Sequence, residues 1–137
     1  MKLFYIDTSI WIDLYEDRTG KNLEPFGEYA SRLFTLIMRE KHEIGFSDIL
    51  LTELGQFYSI EVVRGMVAPF NNLMRRIKST DAQKKEAGTI AHERGIPKGD
   101  VLHAILSRDH QLILVTRDHH FRRLTDISPS FRPEELI

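Results

Sequence analysis

The stretch LFYID, residues 3–7, sets four apolar or aromatic residues directly before a carboxylate. A short continuous apolar run with β-branched and aromatic members is typical of a strand that is covered on both faces in a parallel sheet. A second such run, LILV at residues 112–115, lies near the other end of the chain, and Asp118 follows it by three residues. The two runs predict a parallel sheet that carries acidic side chains beyond its strands.

Helical patterns fill the chain between these runs. The apolar residues from Phe26 to Met38 recur at the spacing of one helix face, which predicts an amphipathic helix. A short helix is predicted through Asp13 to Glu16, capped by Thr8 or Ser9 and with Gly20 as its stop signal. The other predicted elements are strands at 44–46 and 73–77, a helix capped by Ser47 that buries Leu50, Leu54 and Phe57, and helices at 60–68, 81–94 and 101–108. Strands alternating with helices predict a three-layer α/β/α fold around a central parallel sheet, with the strand order left open.

Length and composition predict one soluble globular domain over residues 1–137. Hydrophobic residues make up 42% of the chain and charged residues 28%, which argues against disorder. The absence of cysteine excludes disulfides, thiolate nucleophiles and zinc ribbons. No apolar stretch approaches the roughly 20 residues of a membrane span, and Asp7 interrupts any signal-peptide core, so we expect a cytoplasmic protein with no membrane partner.

The net charge argues against a broad nucleic-acid-binding surface. Nineteen basic and 20 acidic side chains give a formal charge of −1, so the chain has no global basic footprint. A polyanionic partner must therefore be attracted locally, by basic residues such as those at 117, 122 and 123 or by bound cations.

Four acidic residues are candidates for a site. In open α/β sheets ligands bind beyond the carboxyl ends of the strands, so Asp7 and Asp118 would share one crevice if their strands are neighbours. Glu53 and Asp100 lie at the rims of the buried stripes of two helices. Each acid, taken alone, is better explained as a cap or a solvated surface residue, and only their joint pattern favours a site.

The joint pattern resembles the PIN-domain ribonucleases, including the VapC-type toxins of toxin–antitoxin pairs. The matching segments are IDTS (6–9), FSDILLTEL (46–54), GDVLHAIL (99–106) and LVTRDHHF (114–121). The resemblance runs from Lys2 to about Phe121. It implies a carboxylate quartet that holds one or two Mg²⁺ or Mn²⁺ ions, and in this chain the quartet falls on Asp7, Glu53, Asp100 and Asp118.

The resemblance also implies supporting residues around the quartet. The hydroxyls of Thr8, Ser9 and Thr116 match positions that support the metal or a phosphate, and Arg117 and His120 are candidate contacts to the substrate. Many family members carry an acid at the place of His120, so a second metal is expected to bind more weakly here. For His103, a hydrogen bond to a ligand carboxylate is the favoured role.

Elementary chemistry explains why these residue types would serve a nuclease. Four carboxylates within a few ångströms repel one another, so the cluster requires a hard divalent cation with oxygen ligands. Such an ion generates hydroxide from bound water and neutralises charge on the phosphate and the leaving oxygen. The 2′-hydroxyl of RNA is then not the nucleophile, and cleavage leaves a 5′-phosphate and a 3′-hydroxyl.

The leading hypothesis is therefore a metal-dependent endoribonuclease, as a toxin that is held by a protein antitoxin and forms a homodimer. The alternative is a catalytically silent PIN module that binds RNA or protein in a larger RNA-processing assembly. A phosphatase of the haloacid-dehalogenase type is disfavoured, because Ser9 stands where that class needs a second aspartate after the first strand. The chain also lacks a phosphate-binding loop of the Walker type.

Overall fold

A five-stranded parallel sheet forms the centre of the computed structural model, which describes all residues from Met1 to Ile137. The strands are β1 (Leu3–Ile6), β2 (Glu43–Ser47), β3 (Met74–Ile77), β4 (Ile113–Val115) and β5 (Ser130–Phe131). Their spatial order is β3-β2-β1-β4-β5, and every neighbouring pair is parallel. Ile6 is in register with Val115, so the residues that follow β1 and β4 emerge side by side at one edge of the sheet.

Six α-helices cover the sheet, and the predicted three-layer α/β/α class is confirmed. They are α1 (Thr8–Glu16), α2 (Phe26–Arg39), α3 (Asp48–Leu54), α4 (Ile60–Val67), α5 (Asp81–Arg94) and α6 (Lys98–His110). Along the chain, α1 packs against α2 and α5 packs against α6. None of these helices has the length and hydrophobicity that a membrane crossing requires.

The core is one continuous cluster of 30 buried hydrophobic residues. Trp11 is fully buried in it, with its ring 4.8 Å from that of Phe34 and 5.8 Å from that of Phe70. The predicted amphipathic helix α2 contributes its stripe to this core, including Leu33 and Ile37. The buried rings of Trp11 and Phe34 therefore serve packing and are not available to stack on nucleic-acid bases.

One predicted helix boundary is wrong, and one predicted stop residue is displaced. The first helix extends to Glu16 as predicted, but Asp17, in a left-handed conformation with φ of 50°, ends it rather than Gly20. Helix α3 ends at Leu54, so Phe57 lies outside the predicted buried stripe and is 65% exposed. The predicted Ser47 cap is confirmed, since its Oγ accepts a hydrogen bond from the Leu50 amide at 3.1 Å.

The cap of α1 differs from the prediction in a way that affects the site. The N-cap residue is Asp7 rather than Thr8 or Ser9, and its side chain makes no capping hydrogen bond. Its amide donates instead to the carbonyl of Val115 at 2.9 Å, which ties the ends of β1 and β4 together. The Asp7 carboxylate is therefore free for other partners at the sheet edge.

Candidate metal centre

The four predicted carboxylates meet in one cavity of about 330 Å³ at the carboxyl edge of the sheet. Asp7 follows β1, Glu53 projects from the last turn of α3, Asp100 lies in the first turn of α6, and Asp118 follows β4. Four separate segments thus supply one acidic side chain each. We call these four residues the carboxylate cluster.

Two hydroxyls fix the orientation of Asp7. Its Oδ2 accepts hydrogen bonds from Ser9 Oγ at 2.9 Å and from Thr116 Oγ1 at 2.8 Å. The residue is only 6% exposed, yet neither hydroxyl carries a charge that would neutralise it. The hydroxyls therefore orient the carboxylate without supplying a positive charge.

Glu53 is held more tightly, by a hydroxyl and an imidazole. Its Oε1 accepts from Thr8 Oγ1 and from His103 Nε2, both at 2.6 Å. Burial alone would raise the pKa of Glu53, but the hydrogen bonds from His103 and Thr8 outweigh burial and hold the pKa below its ordinary value. A Cβ at Gly99 would lie 2.9 Å from Oε2, so glycine there makes room for this carboxylate.

His103 is part of a buried chain of hydrogen bonds. Its Nε2 donates to Glu53, because a carboxylate only accepts, and its Nδ1 is 2.6 Å from the Tyr5 hydroxyl. The same hydroxyl is 2.6 Å from Ser47 Oγ. Burial lowers the pKa of His103, but Glu53 and Asp7 outweigh burial and raise the pKa overall. The expected hydrogen bond from His103 to a site carboxylate is confirmed.

Asp100 and Asp118 form the other half of the carboxylate cluster, joined by an imidazole. His120 Nδ1 lies 2.9 Å from Asp100 Oδ2 and 3.1 Å from Asp118 Oδ1. The His120 amide also donates to Asp118 Oδ1, at 2.9 Å. Burial together with the charges of Asp118 and Asp7 raises the pKa of Asp100 to about 6. The three aspartates are thus close enough to repel one another.

The donor set suits a hard divalent cation. Potential ligand atoms of Asp7, Glu53 and His103 all lie within 4.8 Å of one another. Both ring nitrogens of His103 already have hydrogen-bond partners, so the carboxylate oxygens are the atoms that could coordinate a metal. Carboxylate oxygens are the ligands that Mg²⁺ and Mn²⁺ prefer, and the raised pKa of Asp100 shows negative charge that a bound cation would relieve.

A second group of charged residues adjoins the carboxylate cluster. The guanidinium of Arg117 donates two hydrogen bonds to Glu134, at 2.7 and 2.8 Å, and lies 3.9 Å from the ring centroid of Phe26. Asp13 lies between Arg117 and Arg18, 3.7 Å from the first and 2.7 Å from the second. We call Asp13, Arg18, Arg117 and Glu134 the arginine cluster.

Sequence reasoning missed several residues of this region. Tyr5 reads as an apolar member of a buried strand, and nothing in the sequence indicates its contact with a histidine 98 positions away. Gly99 reads only as part of a motif, although its missing side chain makes room for Glu53. Arg18 lies in a loop without periodicity, so no pattern places it beside the carboxylate cluster.

Comparison with known families agrees with this architecture. The PIN domain family model matches residues 4–127 of the chain. Among curated protein sequences, none matches this chain significantly.

Solved structures of toxin–antitoxin systems share the fold. VapBC2 from Rickettsia felis, solved bound to a DNA fragment from its promoter, has a chain with a TM-score of 0.63 at 18% identity, over 88% of this chain and 92% of that one. A toxin–antitoxin complex from Klebsiella pneumoniae gives 0.64 at 16% identity, over 95% and 97%. FitAcB from Neisseria gonorrhoeae gives 0.62 at 17% identity, over 96% and 98%. With a family match that spans nearly the whole length and a parallel sheet at whose edge four acids converge, this chain belongs to the PIN domain family.

Proposed function

We propose that this protein is a metal-dependent endoribonuclease that hydrolyses phosphodiester bonds of RNA. The observation that carries the proposal is the convergence of four carboxylates from four segments in one cavity, without an arginine or lysine in ion-pair contact with any of them. Such a cluster costs stability unless a cation is bound, so its presence supports a metal site.

Asp7, Glu53, Asp100 and Asp118 would hold one or two Mg²⁺ or Mn²⁺ ions. A bound ion of this kind lowers the pKa of water and neutralises charge that develops on the phosphate. The chain itself orients the ligands, through the hydroxyls of Ser9 and Thr116 on Asp7 and of Thr8 on Glu53. We expect products with a 5′-phosphate and a 3′-hydroxyl.

The proposed substrate contacts surround this cavity. Thr8, Ser9 and Thr116 lie where their hydroxyls reach ligand carboxylates, and His120 bridges Asp100 and Asp118. His120 already contacts the oxygens of Asp100 and Asp118 that a second metal would need, which supports weaker binding of a second ion. Arg117 lines a second cavity that adjoins the first, although its guanidinium already donates two hydrogen bonds to Glu134.

Cleavage of a labelled single-stranded RNA tests the proposal directly. The wild-type protein should cut the RNA with Mg²⁺ or Mn²⁺ and stop when EDTA is added. Asp7→Asn should reduce the rate by about a thousandfold or more, because the variant loses a ligand charge while keeping the side-chain shape. Asp126→Asn is the matched control, since Asp126 is an exposed aspartate that pairs with Arg94 away from the cavity.

Three outcomes separate the possible functions. Equal cleavage with and without metal would disprove the mechanism. Metal binding by calorimetry without cleavage of any RNA would favour the alternative, a silent module that binds RNA or protein. Metal-dependent cleavage that Asp7→Asn abolishes and Asp126→Asn retains would support the proposal.

We further propose that the nuclease is a toxin with a protein antitoxin and that it forms a homodimer. Two of the three solved relatives are described as VapBC2 and as a toxin–antitoxin complex, which supports this role for a chain of the same fold. Light scattering of the purified protein would give its oligomeric state. Growth arrest on expression, reversed by the protein of an adjacent small gene, would establish the toxin role, and growth without arrest would argue for RNA processing.

A further inference from the structure

Arg18 is the one basic residue among those that line the cavity of the carboxylate cluster. It lies in the loop after α1, outside the four segments that supply the acids. A cavity that takes a polyanion through bound cations still needs direct hydrogen-bond donors to fix the register of the strand. Arg18 is placed to be such a donor.

The protein holds one side of the Arg18 guanidinium and leaves the other side open. Its Nε donates to Asp13 Oδ1 at 2.7 Å, and its Nη2 donates to the carbonyl oxygen of Ser9 at 3.2 Å. Ser9 in turn donates to Asp7, so this arginine is attached to the residue that orients a proposed metal ligand. Nη1 makes no hydrogen bond within the protein, and the side chain is 42% exposed.

A second, larger cavity of about 560 Å³ continues from the first past Arg18. The two cavities share Ser9, Arg18 and Asp118 in their walls, so a chain of nucleotides could run from one into the other. Lys21 lines the second cavity and makes no ion pair within the protein. An RNA strand leading away from the carboxylate cluster would therefore pass Arg18 and Lys21, and both side chains could donate hydrogen bonds to it.

The ion pair between Arg18 and Asp13 is poorly explained as a source of stability. The Asp13 side chain is only 2% exposed, and its Oδ2 has no hydrogen-bond partner. Burial raises the pKa of Asp13 even though Arg18 and Arg117 act to lower it. Because the pair does not recover the cost of burying the carboxylate, the contact is better explained as fixing the direction of Arg18.

We propose that Arg18 is a substrate-positioning residue that binds an RNA phosphate next to the one being cleaved, with Asp13 holding its guanidinium and Lys21 contacting the strand further along. The inference rests on the proposed function, whose site it extends. A guanidinium matches phosphate oxygens with two parallel hydrogen bonds, which an ammonium cannot do. The position of Arg18 at the junction of the two cavities would set the register of the RNA relative to the carboxylates.

RNA binding is measured with Ca²⁺ as the divalent cation, so that the role of Arg18 in binding is tested separately from cleavage. The probe is a fluorescent single-stranded RNA of about a dozen nucleotides, and its length is checked after each titration so that only intact RNA is counted. Fluorescence anisotropy gives Kd at several salt concentrations for the wild type, Arg18→Gln, Arg18→Lys and Arg75→Gln. Arg75→Gln is the matched control, because Arg75 also pairs with a carboxylate, that of Glu43, but lines neither cavity.

We expect Arg18→Gln to raise Kd about tenfold and to make the slope of log Kd against log salt less steep by about 0.7, the value for one lost phosphate contact on a single strand. Arg18→Lys keeps the positive charge but loses the two parallel N–H donors of the guanidinium. Its salt slope should therefore stay near that of the wild type, while Kd rises about threefold. Arg75→Gln should leave both quantities unchanged. A merely structural role for Arg18 would alter the melting temperature without this change in salt slope.

The outcomes distinguish failure of the inference from failure of the proposed function. Wild-type binding that Arg18→Gln leaves unchanged would overturn the inference, even if metal-dependent cleavage is observed. A protein that cleaves no RNA but loses binding with Arg18→Gln would keep the inference and overturn the nuclease proposal. A wild-type protein that binds no single-stranded RNA would overturn both.

Discussion

The carboxylate cluster and the arginine cluster are neighbours in the fold, yet the acidic side chains of the two clusters have different partners. In the arginine cluster, Asp13 and Glu134 each have an arginine nitrogen at 2.7 Å. In the carboxylate cluster, the ion-pair partners are all histidines. One group of acids is thus neutralised by the chain itself, and the other is oriented by hydrogen bonds but left with excess negative charge.

The pKa values of Glu134 and Asp100 follow this difference, whereas burial raises the pKa of Asp13 and the hydrogen bonds from His103 and Thr8 lower the pKa of Glu53. Arg117 donates two hydrogen bonds to Glu134 and holds the pKa of Glu134 below its ordinary value. For Asp100, burial and the nearby charges of Asp118 and Asp7 raise the pKa to about 6. Ionisation of Asp100 therefore costs stability and ionisation of Glu134 adds to it, and a cation bound at the carboxylate cluster would offset the cost at Asp100.

The largest effect on stability is expected from removing the shared arginine. Arg117→Gln would leave Glu134 without its partner and would remove one of the two cations beside buried Asp13, and the stacking on Phe26 would also be lost. Breaking a mostly buried pair from one side costs about 3 kcal/mol. Urea denaturation measures the change, and a loss below about 1 kcal/mol would show that the arginine cluster contributes little.

An opposite effect is expected in the carboxylate cluster. The folded-state pKa of Asp100 lies above its ordinary value, so the metal-free folded protein binds more protons than the unfolded chain between about pH 4 and 6, and its stability falls as the pH rises through that window. Asp100→Asn removes this penalty. Without metal at pH 8, the variant should be more stable than the wild type by about 2 kcal/mol, somewhat less than the full pKa shift implies because the side chain is 15% exposed.

Metal and pH supply the controls for Asp100→Asn. The advantage of the variant should shrink as the pH falls below about 6 and disappear below about pH 3, where Asp100 is protonated in both states of the wild type. Added Mn²⁺ should raise the melting temperature of the wild type more than that of the variant, because the variant has lost a ligand charge. A variant that is less stable than the wild type at pH 8 without metal would contradict repulsion within the carboxylate cluster.

The sequence predicts the acids of this cluster better than it predicts their surroundings. The apolar runs that form β1 and β4 identify Asp7 and Asp118 as strand-end residues, and the structure places the two strands side by side. Periodicity and capping likewise predict α2 and the Ser47 cap. These signals work because burial of one face and the caps of a helix depend on residues that are close together in the chain.

Contacts across the fold leave no such local signal. The hydroxyl of Thr116 donates to a carboxylate 109 positions away, and Glu134, which lies in the proline-containing tail after Ser128, pairs with Arg117. Strand β5 has two residues, too short for any alternation to be recognised. The side-chain partners that set the charge of each cluster therefore emerge only from the tertiary structure.

A smaller effect is expected from Glu134→Gln, which removes a charge from the arginine cluster but keeps Arg117. The lowered pKa of Glu134 means that its contribution is present at pH values above its ordinary range and is lost as the pH falls through its folded-state value. The variant should be about 1 kcal/mol less stable than the wild type at pH 7, because the pair is partly buried. The two proteins should converge under acid conditions, and a constant difference down to pH 3 would mean that shape rather than charge is responsible.

The smallest effect is expected where the same chemistry lies at the surface. Glu86 accepts two hydrogen bonds from Arg108, at 2.8 and 2.9 Å, in the geometry that Arg117 and Glu134 adopt. Its side chain is 40% exposed, so water and salt screen the pair, and Glu86→Gln should cost about 0.3 kcal/mol. Denaturation of both glutamine variants at low and high salt measures the contrast. Because their bonding geometry is matched, a loss for Glu86→Gln equal to that for Glu134→Gln would mean that burial does not strengthen the arginine cluster, and the difference between the two clusters would then rest on hydrogen bonding alone.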